Sequence, residues 1–232
     1  MIGFDPLYFL FIGPAMLLAA WAQLKVKSSF AHASQIRPSN PVSGAEVAAQ
    51  ILRAYGISNV SIEQVQGQLS DHYDPRAKVL RLSPDVYHGR SLAALGVAAH
   101  EVGHALQDAK GYAPLSIRNA CVPLASFGSN ASWFLMLFGF ILNSLHLIMI
   151  GIAAFSMVVL FQLVNLPVEF DASKRAKEIL VQKGFISPQE REEVSSVLNA
   201  AAWTYVAGTL TSVLTLLYYL WRSGLLGGSQ RD

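Results

Sequence analysis

Two histidines four residues apart, with a glutamate directly after the first, are the residues best suited to chemistry. They are His100, Glu101 and His104, in the stretch VAAHEVGHALQ at 97–107. Residues i and i+4 of a helix share a face, so both imidazoles can direct a nitrogen at one ion. Glu101 is rotated away from that face, so it is better placed to accept a proton from a water molecule at the metal, as a general base. The alternative is that both histidines are core residues, but the complete HExxH pattern in a helical setting favours zinc.

A catalytic zinc site needs a third protein ligand, because such sites usually have three and leave the fourth position for water. No histidine follows at the HExxHxxGxxH spacing, where positions 107 and 110 are Gln and Lys. Glu169 is the best distal candidate, since it lies at the start of an amphipathic helix directly after a predicted membrane crossing. The alternative for Glu169 is a solvated acid that the helix dipole favours.

The composition indicates a membrane protein, with 53% hydrophobic and only 14% charged residues. No charged residue occurs between Arg118 and Glu169 or between Glu193 and Arg222. About 20 residues cross a bilayer, so the first interval can hold two helices, separated at Asn143 and Ser144. At the N-terminus an anchor is favoured over a signal peptide, because a basic n-region and a clear cleavage site are missing. The predicted spans are 6–24, 120–142, 146–166 and 200–221.

The predicted fold class is a multi-pass α-helical membrane protein with about four transmembrane helices and a small α+β zincin-like cytoplasmic module. The predicted segments are an N-terminal transmembrane anchor at 1–24, the zincin-like module with the HExxH helix at 25–118, a transmembrane helical hairpin at 119–167, cytoplasmic helices with the third zinc ligand at 168–199, and the last transmembrane helix and tail at 200–232.

The distribution of basic residues predicts the orientation in the membrane. Most of the 17 Lys and Arg residues lie in 25–118 and 169–193. The positive-inside rule places both segments in the cytoplasm, and the two crossings between them return the chain to the side of His100. The formal net charge is only +2, and no basic run with interleaved aromatics occurs, so nucleic acid is not an expected partner.

The module before the zinc motif is predicted to contain one helix and two strands. Ser43 and Glu46 form a capping box, and the helix ends at Gly56. Strands are predicted at 59–65 and 78–83, separated by Gly67 and a turn at DHYDP, residues 71–75. The strand VLRLS at 79–83 is either an edge on which an extended substrate could add or an internally paired strand.

The helices that follow have clear start and stop signals. Ser91 is the predicted N-cap of the zinc helix, which Gly111 ends. A second helix is predicted to begin at Pro167 and to run until Gly184. Ser187 and Glu190, with Pro188 between them, form a second capping box that leads into the last span.

Four stretches together resemble the bacterial YugP-type membrane neutral zinc metallopeptidases. They are DHYDP (71–75), VAAHEVGHALQ (97–107), DAKGYAPLSIR (108–118) and LPVEFDASKRA (166–176). The similarity extends from about residue 43 to 207 and includes TYVAG at 204–208. More distantly, the pattern is similar to the membrane heat-shock and prenyl-protein endopeptidases of the gluzincin group.

This resemblance implies a membrane-embedded zinc-dependent endopeptidase that hydrolyses membrane or unfolded proteins near the cytoplasmic surface of the bacterial inner membrane. It implies that His100, His104 and Glu169 bind Zn²⁺ and that Glu101 is the catalytic base. The expected partners are the lipid bilayer and a protein or peptide substrate, and the oligomeric state stays open.

One departure concerns the hydrogen bonds that orient the histidines. Gluzincins usually have an aspartate four residues after the third ligand, whereas this chain has Ser173. The orienting hydrogen bond is therefore expected from another residue, with Asp171, Asp71 and Asp74 as candidates. The polar aromatics considered as oxyanion donors, each more easily explained as structural, are His72, Tyr73, His88 and Tyr205.

Three other functions are weaker explanations of the same residues. An intramembrane protease would place the HExxH helix within the bilayer, but the interval from Arg90 to Asp108 is too short to span. A non-catalytic, zinc-stabilised scaffold or adaptor would need a fourth protein ligand. A zinc transporter would need metal-binding groups within the spans, which contain no acidic residue and only His146, near a predicted turn.

Overall fold

The computed structural model describes residues 6–225, which form seven helices and three strands. The helices are α1 (Pro6–Ala33), α2 (Gly44–Ala54), α3 (Pro84–Tyr87), α4 (Leu92–Ala109), α5 (Ala113–Ile141), α6 (Leu145–Gln182) and α7 (Arg191–Arg222). The strands are β1 (Ser61–Gln64), β2 (His72–Asp74) and β3 (Val79–Leu82).

The chain divides into two compact units. Within the described residues, unit 1 comprises 6–21, 116–166 and 204–225. Unit 2 comprises Ala22–Leu115 and Pro167–Trp203 and contains the sheet. The three predicted metal ligands and the predicted catalytic base all lie in unit 2.

Four helices, α1, α5, α6 and α7, are long and apolar enough to cross a membrane. This number agrees with the sequence prediction, and each helix continues beyond its predicted span at one end or both. Many of their large apolar side chains are exposed; Leu17 and Phe127, for example, each have 74% of their surface accessible. Such exposure suits a surface that faces lipid.

The predicted interruption between α5 and α6 is a tight turn at Asn143 and Ser144. Asn143 has a φ of +49°, a conformation that asparagine tolerates better than most residues. The two helices then pack closely: a Cβ at Gly128 would lie 2.4 Å from the carbonyl oxygen of Ala154. Small residues at such contacts are typical of helices that pack within a membrane.

Helix α6 does not begin at Pro167, as the sequence predicted, but runs through it. Proline removes one N–H, so the carbonyl of Leu163 loses its usual helical donor. Membrane helices tolerate such a loss where neighbouring structure supports both sides. Val168, directly after the proline, and Ala172, one turn further, are completely buried. Packing in unit 2 therefore supports the helix across this position.

The sheet has the order β1-β3-β2, with β1 parallel and β2 antiparallel to β3. The predicted turn at 71–75 is wrong, because His72–Asp74 is a strand in which buried Tyr73 pairs with Leu80. The turn comes after it, where Asp74 Oδ1 accepts hydrogen bonds from the backbone N–H groups of Arg76 and Ala77. The polar composition of the stretch concealed one buried side chain.

Strand β3 is paired on both sides, so it is the internally paired strand of the two alternatives and not a free edge. Both predicted capping boxes are present, at Ser43 with Glu46 and at Ser187 with Glu190. Gly56 follows α2 with a φ of +71°, as expected of a residue that ends a helix.

Helix α4 lies at the centre of the core of unit 2. Ser91 caps its N-terminus by accepting a hydrogen bond from the N–H of Ala94, and Gly111 follows its end with a φ of +61°. Leu92, Leu95 and Val102 are fully buried. They pack in one cluster with apolar side chains from α2, β3, α6 and α7. The zinc motif therefore lies on a helix that is held on most of its circumference.

Candidate metal centre

Helix α4 brings His100 and His104 together on one face, as their spacing predicted. Their ring centroids are 4.8 Å apart, and the ring planes are nearly perpendicular at 86°. Only 12% of each side chain is exposed. Both Nε2 atoms point towards the same neighbour on α6, which is Glu169.

A glycine allows α6 to come close enough for this contact. A Cβ at Gly103 would lie 2.8 Å from the carbonyl oxygen of Ala172, so the backbones of α4 and α6 almost touch there. Glu169 lies one helical turn before Ala172 and is 3% exposed. The contact directs its carboxylate at the two histidines.

The donor atoms of the three side chains converge. Glu169 Oε2 is 3.3 Å from His100 Nε2 and 3.5 Å from His104 Nε2, and all the donor atoms lie within 4.8 Å of one another. Metal–ligand bonds of about 2.0–2.2 Å in a tetrahedron give ligand–ligand distances of about 3.3–3.6 Å. The measured distances from the carboxylate to the nitrogens fall in that interval.

The buried carboxylate also has an unsatisfied atom. Among the described residues, Glu169 Oε2 is the buried side-chain oxygen or nitrogen that has no partner with hydrogen-bond geometry. Leaving such an atom unpaired costs about 1–3 kcal/mol or more for a charged group. A divalent cation bound by two imidazoles and a carboxylate would satisfy it, and this donor set is one that zinc prefers. The residues present therefore fit the metal.

Glu101 lies beside this group and is only 7% exposed. Burial raises the pKa of its carboxyl group, and the nearby His100 and His104 oppose that shift without cancelling it. For His104, burial lowers the pKa, but Glu169, Glu101 and Gln107 together raise it by more, so the net shift is upward. Glu101 is thus a buried acid that can hold a proton more readily than an ordinary glutamate.

Each histidine has a polar neighbour at its other ring nitrogen. Ser173 Oγ lies 3.1 Å from Nδ1 of His100, so the residue that replaces the usual aspartate makes this contact itself. Gln107 Oε1 lies 3.0 Å from Nδ1 of His104. Of the aspartates considered, Asp171 reaches the site only through Gln107, at 2.8 Å from its Nε2.

The other aspartates and polar aromatics of unit 2 have structural partners. Asp71 accepts hydrogen bonds from the backbone and side chain of Ser83. Asp74 is bound by Arg81. The hydroxyl of Tyr73 donates to Asp108 at 2.6 Å. The two histidines considered as oxyanion donors also have partners outside the site. His72 contacts Ser70 and Arg81, and His88 contacts Gln64.

Gln107 is the site residue that the sequence analysis missed, since it was considered only as a position that lacks a third histidine. Its place three residues after His104 on the same helix was the available signal.

Comparison with known proteins identifies the family of the chain. The model of a family described as "Putative neutral zinc metallopeptidase" matches residues 8–224. A curated relative from Bacillus subtilis (strain 168), described as "Putative membrane protease YugP", is 49% identical over 213 residues, which are 91% of this chain and 95% of that protein. No solved structure matches the chain. Because the family match runs from the first membrane-length helix to the last and includes the converging histidines and glutamate, the chain belongs to the neutral zinc metallopeptidases of the YugP type.

Proposed function

We propose that this chain is a zinc-dependent endopeptidase in which His100, His104 and Glu169 bind the metal and Glu101 is the catalytic base. The observation that carries the proposal is the buried Glu169 Oε2, without a hydrogen-bond partner among the described residues and within 3.5 Å of both imidazoles. The family match supports peptide-bond hydrolysis as the activity.

The buried glutamate next to the ligands is the group that would carry the proton in the reaction. When bound, zinc activates water as a nucleophile and polarises the scissile carbonyl as a Lewis acid. Glu101 accepts the proton of the attacking water and then donates it to the departing amine nitrogen. Its raised pKa suits the second step, because a carboxyl group that retains its proton is a better acid for the leaving group.

The site is proposed to face the cytoplasm at the inner membrane of a bacterium. Residues 25–118 and 168–199 form the cytoplasmic part, and α1, the α5–α6 hairpin and α7 anchor it in the bilayer. The support is the concentration of Lys and Arg in those two segments and the four membrane-length helices. Membrane or unfolded proteins that reach the membrane surface are the proposed substrates.

A non-catalytic zinc scaffold is less compatible with the site. Structural zinc sites usually have four protein ligands. In the described part of the chain, the cluster of His, Cys, Asp and Glu donors close enough for one ion has three members. A three-ligand site beside a buried acid leaves a position for water and favours the enzyme.

The decisive experiment compares the wild type with Glu101→Gln in cleavage of an unfolded test protein by purified, zinc-loaded protein in detergent. We expect activity to fall by at least about 100-fold while zinc content stays near one ion per chain, because removing a general base typically costs 10²–10⁴-fold. Glu63→Gln, a change of the same type at an exposed strand residue, is the matched control and should retain activity. Equal activity of Glu101→Gln and the wild type would contradict the proposal.

A further inference from the structure

Gln107 is a fully buried polar residue, with 0% of its surface accessible, one turn beyond the second histidine of the motif. A buried amide is costly unless its donors and acceptor are all paired. Here the amide oxygen lies 3.0 Å from His104 Nδ1, and the amide nitrogen lies 2.8 Å from two oxygens on α6. The whole side chain is therefore used between α4 and α6.

The two oxygens on α6 determine which way the amide points. One is the backbone carbonyl of Val168 and the other is Oδ2 of Asp171, which is also bound by the guanidinium of Arg175. A carbonyl and a carboxylate paired with arginine can only accept hydrogen bonds. The amide nitrogen must face them, so the amide oxygen must face His104.

This orientation determines the tautomer of His104. An amide oxygen accepts but does not donate, so Nδ1 of His104 must carry the hydrogen. The lone pair of the neutral ring is then on Nε2, which is the atom 3.5 Å from Glu169 Oε2. In the neutral ring, the amide thus keeps the hydrogen on Nδ1 and leaves Nε2 as the nitrogen that can bind a metal.

His100 lacks an equivalent constraint. Its Nδ1 lies 3.1 Å from the hydroxyl of Ser173. A hydroxyl can donate or accept, so this contact does not select one tautomer. The two histidines therefore differ: the hydrogen-bond partners of His104 select one tautomer, whereas those of His100 do not.

We propose that Gln107 is a positioning residue through which Asp171 and Arg175 orient His104 for zinc. The series of hydrogen bonds runs from Arg175 to Asp171, then to the amide of Gln107, and then to the imidazole. Asp171 does not contact the ring, so it orients the ring only through the amide. Arg175 is itself held over the ring of Tyr112, at 5.8 Å. The inference rests on the proposed function, because it assumes that the site binds a metal.

Helix α6 supplies both ends of this arrangement. Glu169 is the ligand, and Asp171, two residues further on, anchors the amide that orients the other ligand. A movement of α6 relative to α4 would therefore displace Glu169 and, at the same time, the Asp171 side chain that orients His104 through Gln107. This coupling explains why a buried glutamine, and not an apolar residue, occupies position 107.

The test measures zinc affinity by competition with a chromophoric chelator, using the purified full-length chain in detergent. The variants are Gln107→Met, which keeps the volume but removes the polar atoms, and Asp171→Asn. Loss of a hydrogen bond that orients a ligand typically weakens metal binding by about 10–100-fold. We expect a decrease in that range for Gln107→Met and a smaller decrease for Asp171→Asn.

A spectroscopic readout separates positioning from a general structural effect. With Co²⁺ in place of zinc, the visible absorption bands report the ligand geometry, and they should shift in both variants. Gln64→Met is the matched control, because Gln64 Oε1 contacts His88 Nε2 at 3.0 Å outside the site. The control should bind zinc and show Co²⁺ bands like those of the wild type.

The outcomes divide clearly. If both variants bind zinc as tightly as the wild type, the inference is wrong although the proposed function stands. If Gln107→Met alone weakens binding, Asp171 is not the anchor and the inference is also wrong. If Gln107→Met fails to fold, Asp171→Asn decides, since Asp171 lies at the edge of the core. A wild-type chain without measurable zinc affinity would overturn the proposed function and this inference with it.

Discussion

Glu169 Oε2 on α6 lies 3.3 Å from His100 Nε2 on α4, yet no described residue gives that oxygen a well-formed hydrogen bond. Burying a carboxylate oxygen without a hydrogen-bond partner is unfavourable unless a positive charge compensates it. The relationship therefore indicates what the site is built to hold. The contribution of Glu169 to metal binding can therefore be measured separately from catalytic activity.

Glu169→Gln should reduce zinc binding more strongly than any change at Gln107. An amide is a poor ligand for zinc, and the variant removes one of three donors, so the loss should exceed about 100-fold. Metal content after dialysis and chelator competition both measure it. Glu178→Gln, at an exposed position of the same helix, should bind zinc like the wild type. Retention of a full zinc equivalent by Glu169→Gln would exclude this carboxylate as a ligand.

Gly103→Ala should destabilise the protein and weaken zinc binding together. The added Cβ would lie 2.8 Å from the Ala172 carbonyl oxygen, so α4 and α6 must separate, and overpacking of this kind typically costs about 1–3 kcal/mol. Thermal unfolding with and without zinc measures both effects. Gly13→Ala is the control, because nothing lies within 4 Å of its Cβ position and alanine favours a helix. A variant as stable as the wild type would show that the helices can separate without cost.

The stabilisation produced by zinc should increase with pH. Without metal, the raised pKa of His104 means that folding favours the protonated ring, so this stability is complete below the ordinary pKa of 6.5 and is lost as the pH rises through the higher folded value. Zinc needs the unprotonated ring, so its contribution changes in the opposite direction. The rise in Tm on zinc addition should therefore be small near pH 5.5 and larger near pH 8. A zinc effect that does not change between those values would contradict this assignment.

Cysteine labelling should report the proposed orientation. After Cys121→Ser, the Ser144→Cys variant has its thiol in the turn between α5 and α6, and the Ser39→Cys variant has it in the non-helical stretch between α1 and α2. On spheroplasts with a sealed inner membrane, a membrane-impermeant maleimide should label the Ser144→Cys variant only. Both should react after lysis. Labelling of the Ser39→Cys variant on sealed spheroplasts would reverse the proposed topology.

Several local features of this protein could be predicted from the sequence because they depend on residues only a few positions apart. The capping boxes at Ser43 and Ser187, the shared helix face of His100 and His104, and the turn at Asn143 all follow from such short-range geometry. The number of membrane-length helices follows equally from the distribution of charge and apolar residues.

Features that depend on the exact packing of distant segments were decided only by the tertiary structure. The central position of β3, the strand at His72–Asp74 and the continuation of α6 through Pro167 are set by pairing and burial that composition does not encode. The same is true of Gln107, whose role exists only because α6 brings Asp171 to it. The sequence by itself determined which residues could bind a metal and on which helix two of them share a face. Whether Glu169 reaches them was decided by the close approach of α4 and α6 at Gly103, because a contact between distant parts of a chain depends on the shapes of both surfaces.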